Sequence, residues 1–474
     1  MKLLVRQKVW LAVVIAGNLA LWLIPSDVVE LIAKDRHTLL GRYSRTHFTW
    51  IALVAVISVV SFYIDWSARE KYKRRWFQVL ATFLVLVPAL GLLDFVLRSF
   101  DGAHYVRDNP AYHRPANGTF EFQFEDKPEA FCTYPNAPPG FGKVSGVCRT
   151  DMRGFRNRFD RDDADIVVLG DSFAEGSNVP DESVWPVHLA DHLGRSVTNF
   201  GMSGYAPAHY FEALKRYALP LEPRTVLCML YEGNDFRSSR SIEAQQKVSF
   251  SKRMKVYFKQ SPIRQALDAM MIRTFGPLNC RHNVPGAEIL DWLPLRIPPG
   301  PNAKHYAFEP QKLRDLCQDD DAFASGRRWL VARQALERMN QLCQGAGCRF
   351  AVIFAPTNAH VLLPLVSDRL SPEKVRAFTA ISYKRELPPP EVFLPELLTR
   401  IDARERVVAR WCEQQSIPFV SLTEPLRAAV ERGIQVYYTY NQHWSPRGHE
   451  VVARHLADIL PGEVDLPEPD ADAP

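Results

Sequence analysis

Over the second two-thirds of the chain, short unbroken apolar runs alternate with stretches in which apolar residues recur every three or four positions. "DIVVLG" (165–170) is continuously apolar and β-branched, the pattern of a strand buried on both faces. "VWPVHLADHLG" (184–194) has helical spacing and stops at Gly194. "SVTNF" (196–200), "RTVLCMLY" (224–231), "RFAVIFAP" (349–356) and "IPFVSL" (417–422) repeat the strand pattern. Residues 208–218, 322–343, 396–415 and 446–460 repeat the helical one. Such alternation predicts an α/β domain over 161–474, a parallel sheet with helices on both faces. In sheets of this kind ligands bind at the carboxyl ends of the strands.

The first hundred residues follow a different pattern. "VWLAVVIAGNLALWLIP" (9–25), "FTWIALVAVISVVSFYI" (48–64) and "FQVLATFLVLVPALGLLDFVL" (77–97) are each long enough to cross a bilayer as a helix. They predict a three-span membrane anchor over 1–98. The rival reading of the first segment is a cleaved signal peptide, since Lys2, Arg6 and Lys8 precede it. "REKYKRR" (69–75), between the second and third segments, reads as the positive-inside signal. It places the N-terminus in the cytoplasm of a bacterial inner membrane and everything after about residue 100 in the periplasm. Residues 99–160, rich in Pro, Gly and Asn and without lasting periodicity, read as a neck packed on the domain. The break at about 237–321 is too long for a simple connection. It is either a substrate-binding lid or an insertion that only packs on the sheet.

Composition adds limits. A net charge of +5 over 474 residues, with the basic residues scattered, gives no footprint for nucleic acid. There are eight cysteines. Cys132 with Cys148, and Cys343 with Cys348, are spaced to close short loops, and Cys280 and Cys317 bracket an irregular stretch. An oxidising compartment would permit disulfides there. Cys228 reads as a buried free thiol. No paired Cys-x-x-Cys supports zinc, and no cofactor is expected. "QDDDAF" (318–323) reads as a solvated helix N-terminus rather than a calcium loop.

The residues able to do chemistry lie after the predicted strands. "GDSFAEG" (170–176) places Ser172 just beyond the first, where its hydroxyl can project from the sheet. "NFGMSGYAP" (199–207) follows the second, and Gly201 can offer an unobstructed backbone N–H. "YEGNDF" (231–236) follows the third, and Asn234 can supply an amide donor. His443, in "TYNQHWSPRGH" (439–449), comes between the last strand and the last helix. Each alone has a bland reading: a turn glycine, a loop amide, a surface histidine. Donors converging on one point are what a developing oxyanion needs.

Together these residues resemble the SGNH, or GDSL-type, hydrolases, most closely over 165–237 and 434–460. The resemblance implies a three-layer α/β/α sandwich with a flavodoxin-like sheet. It also implies metal-free cleavage or transfer of acyl esters, with Ser172 as nucleophile and His443 as general base, then acid. The Ser172 and Gly201 N–H groups and the Asn234 side chain would form the oxyanion hole. "NQHW" is further similar to the Asp-x-His-Trp variant of periplasmic proteins that O-acetylate or deacetylate polysaccharides. Asn441 stands where that family has aspartate. Three readings are open: a Ser–His pair oriented by neutral Asn441, an acid supplied from elsewhere in the fold, or a site that binds without turnover. The expected substrate is an O-acetylated envelope polysaccharide, with a membrane-embedded acyl-donor partner if the reaction is transfer. Alternatives are a phospholipid esterase and a non-catalytic glycan-binding scaffold. Trp185, Tyr205 and Trp444 are either sugar-stacking or core residues.

Overall fold

The computed structural model describes residues 112–127, 139–237, 293–297, 303–383 and 385–463, with scattered positions before 108 and at 261 and 263. The chain divides into two compact units, 1–101 with 129–135 and 254–290, and 102–128 with 136–253 and 291–474. Among the described residues no helix is long and apolar enough to cross a membrane. The expected spans and the 69–75 basic run lie outside the described residues, apart from isolated positions. Ser172, Gly201, Asn234, Asn441 and His443 all belong to the second unit.

Besides the two-residue pair Val106–Arg107 and Tyr112–His113, the described strands of this second unit are β1 (Thr119–Asp126), β2 (Gly142–Arg149), β3 (Ile166–Leu169), β4 (Val197–Asn199), β5 (Thr225–Tyr231), β6 (Leu293–Ile297), β7 (Lys304–Phe308), β8 (Arg349–Ala355) and β9 (Phe419–Ser421). β3, β4, β5, β8 and β9 form one parallel sheet in the order β9-β8-β5-β3-β4. Numbered within the sheet this is 2-1-3-4-5, the flavodoxin-like order, and its switch point falls between β3 and β5.

Alternate side chains of the central strands feed two separate cores. Ile166, Val168, Leu227, Met229, Ala351 and Ile353 face one; Val167, Leu169, Val226, Cys228, Phe350 and Val352 face the other. Helices Trp185–Leu193, Thr423–Glu431 and Pro446–Glu463 cover the first face. Helices Pro207–Ala213, Arg327–Ala346 and Ala403–Gln414 cover the second. A fully buried aliphatic side chain contributes about 1.5–3 kcal/mol relative to exposure, so a sheet covered on both sides is held chiefly by this packing. The three-layer α/β expectation therefore holds.

Several expectations change. The single helix read over 322–343 is two, Asp320–Ala324 and Arg327–Ala346, broken at Gly326. Asp319 caps the first by accepting the Ala322 N–H at 2.8 Å, and Asp320 pairs with Arg406 and Arg410, which bears out the helix N-terminus. The helix read over 396–415 is likewise two, Pro390–Arg400 and Ala403–Gln414. The neck region contains the antiparallel hairpin β1–β2, in which Phe120, Phe122 and Phe124 occupy every second position. That period of two was the overlooked signal. Within the break, β6 and β7 form a second hairpin whose Tyr306 and Phe308 enter the first core.

Cys148, Cys228, Cys317, Cys343, Cys348 and Cys412 are buried free thiols. The bridge that the spacing of Cys343 and Cys348 would permit is not formed, and the two thiols are hydrogen-bonded neighbours. Cys132 and Cys280 lie outside the described residues. Trp185, Tyr205 and Trp444 are 0 %, 1 % and 0 % exposed, which makes them core residues and removes them from any sugar platform.

Candidate active site

Ser172 begins a one-turn helix, Ser172–Glu175, immediately after β3. The turn is tight: a Cβ on Gly170 would lie 2.6 Å from that of Ala174. Asp171 caps the turn by accepting the Phe173 N–H at 2.9 Å. The Ser172 N–H is left at the helix start, where amides have no intrahelical partner.

His443 comes from a loop that folds back on itself. Tyr438 N–H donates to His443 O at 2.9 Å and Ser445 N–H to Val436 O at 2.9 Å. Between Asn441 and His443, Gln442 takes a left-handed conformation (φ 66°). This bend brings the Asn441 amide against the imidazole. Asn441 Oδ1 lies 2.6 Å from His443 Nδ1, and His443 Nε2 lies 2.8 Å from Ser172 Oγ.

A second amide settles the proton positions. Asn178 Nδ2 donates to the same Asn441 Oδ1 at 3.0 Å. An amide oxygen only accepts, so His443 Nδ1 carries the hydrogen and Nε2 is free to accept the Ser172 hydroxyl proton. This is the tautomer a general base requires. Burial and the nearby Lys312 push the His443 pKa down to about 4, so the ring is neutral near pH 7.

Asp126, at the end of β1, anchors the loop. Its carboxylate accepts the backbone N–H groups of Thr439 (2.7 Å), Tyr440 (3.1 Å) and Asn441 (3.1 Å), and of Phe141 (2.8 Å). Other nearby acids are occupied as well. Glu175 pairs with Arg114 at 2.6 Å and accepts the Ser203 N–H at 2.8 Å; burial pushes its carboxyl up, but these partners outweigh it and hold the group below the usual range. Burial raises Asp171 to about 6, opposed by the Phe173 N–H and the Asn234 amide. Among the described residues no carboxylate takes the place of Asn441 on His443.

Ser172, Asn234, Asn441 and His443 line one cavity of about 170 Å³, with Phe173, Tyr231, Gly233, Arg237, Glu309, Lys312 and Gln442. Gly201 departs from the expected arrangement. Its N–H donates to Asn199 Oδ1 at 2.8 Å, and it is not among the residues lining the cavity. A Cβ there would meet Ala174 and the Glu175 backbone within 2.7 Å, so close packing on the Ser172 turn already requires glycine. Of the residues expected to supply oxyanion donors, Ser172 and Asn234 line the cavity, and the Asn234 amide also reaches Asp171. Asp126, Asn178 and Lys312 were not singled out in the sequence.

Chemically, this arrangement can move the Ser172 proton to His443 Nε2 while Oγ attacks a carbonyl carbon. The same nitrogen can return that proton to the leaving alkoxide. Away from the cavity, His360, Asp402 and Glu405 bring ligand-type atoms within 4.8 Å of one another. His360 Nε2 stands 2.8 Å from Asp402 Oδ1, a contact that a proton between them accounts for.

No family model and no curated protein matches the chain. Among solved structures it is similar to a lipase/acylhydrolase from Enterococcus faecalis, at 12 % identity and a TM-score of 0.30, over 65 % of this chain and 99 % of that one. It is also similar to a GDSL-like lipase from Bacteroides thetaiotaomicron, at 12 % and 0.26, over 62 % and 87 %. A third is an acetyl xylan esterase, at 9 % and 0.29, over 62 % and 98 %.

Proposed function

We propose that the chain is an SGNH-type serine ester hydrolase in which neutral Asn441 orients the catalytic histidine. One observation carries this reading: the continuous path from Ser172 Oγ through both His443 nitrogens to Asn441 Oδ1, with contacts of 2.8 Å and 2.6 Å. Ser172 attacks the ester carbonyl, and the Ser172 N–H and Asn234 amide receive the developing oxyanion. His443 protonates the departing alcohol, then activates the water that releases the acyl group.

The cavity favours a small acyl group. Pockets for drug-sized ligands are about 300–1,000 Å³, against about 170 Å³ here, which supports acetyl over a phospholipid chain. Envelope polysaccharide as the acetylated alcohol, periplasmic placement behind a three-span anchor, and acyl transfer with a membrane partner remain part of the proposal. They rest on the three apolar segments, the basic 69–75 run and the "NQHW" resemblance. A reporter fused after residue 100, active only in the periplasm, tests the placement.

The second reading, a disarmed site that binds acyl sugars, is favoured by Asn441 itself and by the engaged Gly201 amide. Labelling of the full-length protein by a fluorophosphonate separates the two. The hydrolase reading expects labelling that Ser172→Ala abolishes, together with turnover of a small acetyl ester. An inert wild type that labels only as Asn441→Asp would establish the disarmed site.

A further inference from the structure

Lys312 is the feature of this cavity that acyl transfer does not require. Helix Pro310–Asp315 carries it into the wall, where it is 7 % exposed. Its ammonium donates to Tyr231 Oη at 2.9 Å. Among the described residues no carboxylate lies within ion-pair distance of it. An ammonium has three donors; apart from Tyr231, through its Oη and its ring at 5.2 Å, no group among the described residues receives them, a costly arrangement for a buried cation unless something else does.

Its surroundings point into the site. Tyr231 stacks on Phe173 at 3.9 Å between centroids, and Phe173 lies 4.9 Å from His443. Lys312, Tyr231, Phe173 and His443 thus follow one another along the cavity wall, with Arg237 also lining it. The opposing charges are Glu309, whose carboxylate accepts from Gln311 Nε2 at 2.6 Å, Asp315, which is paired with Arg314, Glu232, which is paired with His360, and buried Asp171. None of the four pairs with Lys312.

We propose, resting on the ester-hydrolase reading, that the substrate is an anionic ester, one whose acid or alcohol part bears a carboxylate that Lys312 receives. The proposal also accounts for the missing triad acid. As Ser172 attacks, its proton moves to Nε2 and His443 becomes an imidazolium facing Asn441, which has no charge, with a second cation nearby. A substrate carboxylate on Lys312 neutralises that second cation at the moment the first appears. The substrate then supplies the negative charge that Asn441 lacks.

The test uses the full-length protein and two aryl acetates of similar shape, 4-acetoxybenzoate and its methyl ester. The expected kcat/KM favours the anion by about tenfold or more at low ionic strength, and the preference narrows as salt screens it. Lys312→Met should bring the ratio close to one, whereas Lys312→Arg should keep most of it. If Lys312→Met does not fold, the sign and salt dependence of the wild-type preference decide. A wild type that labels at Ser172 but shows no preference, or favours the neutral ester, overturns this inference and leaves the hydrolase standing. Absence of Ser172 labelling removes both.

Discussion

His360 and His443 lie in the same α/β unit and have opposite electrostatic settings. His360 Nδ1 is 3.2 Å from Glu232 Oε2, and its Nε2 is 2.8 Å from Asp402 and 3.7 Å from Glu405. Carboxylates only accept, so both ring nitrogens carry hydrogens. Although burial opposes the charge, Glu232 and the flanking acids raise the pKa to about 10. His443 has an amide on Nδ1, a serine hydroxyl on Nε2 and Lys312 nearby, and its pKa falls to about 4. Negative charge is thus concentrated where a permanent cation ties the strand ends together. It is withheld at the ring that the proposed mechanism uses as its base. Burial alone would depress both rings; the neighbours decide.

Supplying His443 with the charge it lacks should produce the largest change. Asn441→Asp would keep both hydrogen bonds, because a carboxylate can accept from His443 Nδ1 and Asn178 Nδ2 together. The reverse change in one serine protease costs roughly 10⁴-fold in turnover. The expected outcome is a rise in kcat toward that bound. The acid limb should also shift upward in a pH–rate profile, from about 4 in the wild type, because a carboxylate favours imidazolium. A variant with unchanged rate and limb would show that the neutral setting is not what limits the wild type.

Removing charge from the other histidine should affect stability instead. His360→Gln takes from buried Glu232 the cation it is hydrogen-bonded to and leaves only Arg404 nearby; breaking a buried pair costs about 3–5 kcal/mol, and the low end is expected. The pH dependence has a defined sign. The folded His360 pKa, about 10, lies above its ordinary 6.5. Its contribution is therefore complete below 6.5 and is lost as pH rises through 10. His443 acts the opposite way: its depressed pKa removes stability as pH falls from 6.5 toward 4. Denaturant melts of wild type and His360→Gln should differ most near neutral pH and converge in alkali. A constant gap would mean that His360 is not the cation of this cluster.

Asp126 tests whether a carboxylate near the site acts through position or through charge. Asp126→Asn removes one acceptor oxygen from the loop carrying Asn441 and His443. Misplacement by about 1 Å can cost 10²-fold, and a loss in kcat of about that size, with KM little changed, is expected. The acid limb should stay near 4, because His443 keeps its immediate neighbours. A moved limb would assign Asp126 an electrostatic role.

These variants also mark what the sequence made legible. Ser172, Asn441 and His443 could be read because each is defined by a local pattern: the end of an apolar run, or a pair two residues apart. The sheet was readable for the same reason, since four-residue β3 is entirely buried and entirely apolar. Asp126 and Asn178 could not be read. Their bonds to Asn441 span 315 and 263 residues, and no local periodicity encodes a contact at that separation. Lys312 was obscured differently: "PQKLRD" looks like an exposed polar turn, and only the packing of the helix shows that its lysine is buried. Gly201 illustrates the converse. It lies after β4 as expected, but its amide is taken by the side chain of Asn199 only two residues back, a local bond that the hydrophobic pattern does not encode.

Asn178 gives the smallest expected effect and the most specific one. Its amide fixes which way Asn441 presents its oxygen, and through that oxygen the tautomer of His443. Losing one such hydrogen bond costs about 1 kcal/mol, or roughly fivefold in rate. Asn178→Ala should therefore lower kcat by about that factor. The informative measurement is the same substitution made in Asn441→Asp. A carboxylate offers an acceptor whichever way it turns, so Asn178 has nothing left to orient. If Asn178 acts only by holding the amide, its effect should nearly vanish in that background, a coupling that a double-mutant cycle reads directly. If the full loss persists, Asn178 acts through its left-handed backbone (φ 64°), which alanine disfavours and whose carbonyl accepts from Tyr438 Oη at 2.6 Å. In that case Asn441 needs no external hand to choose the tautomer.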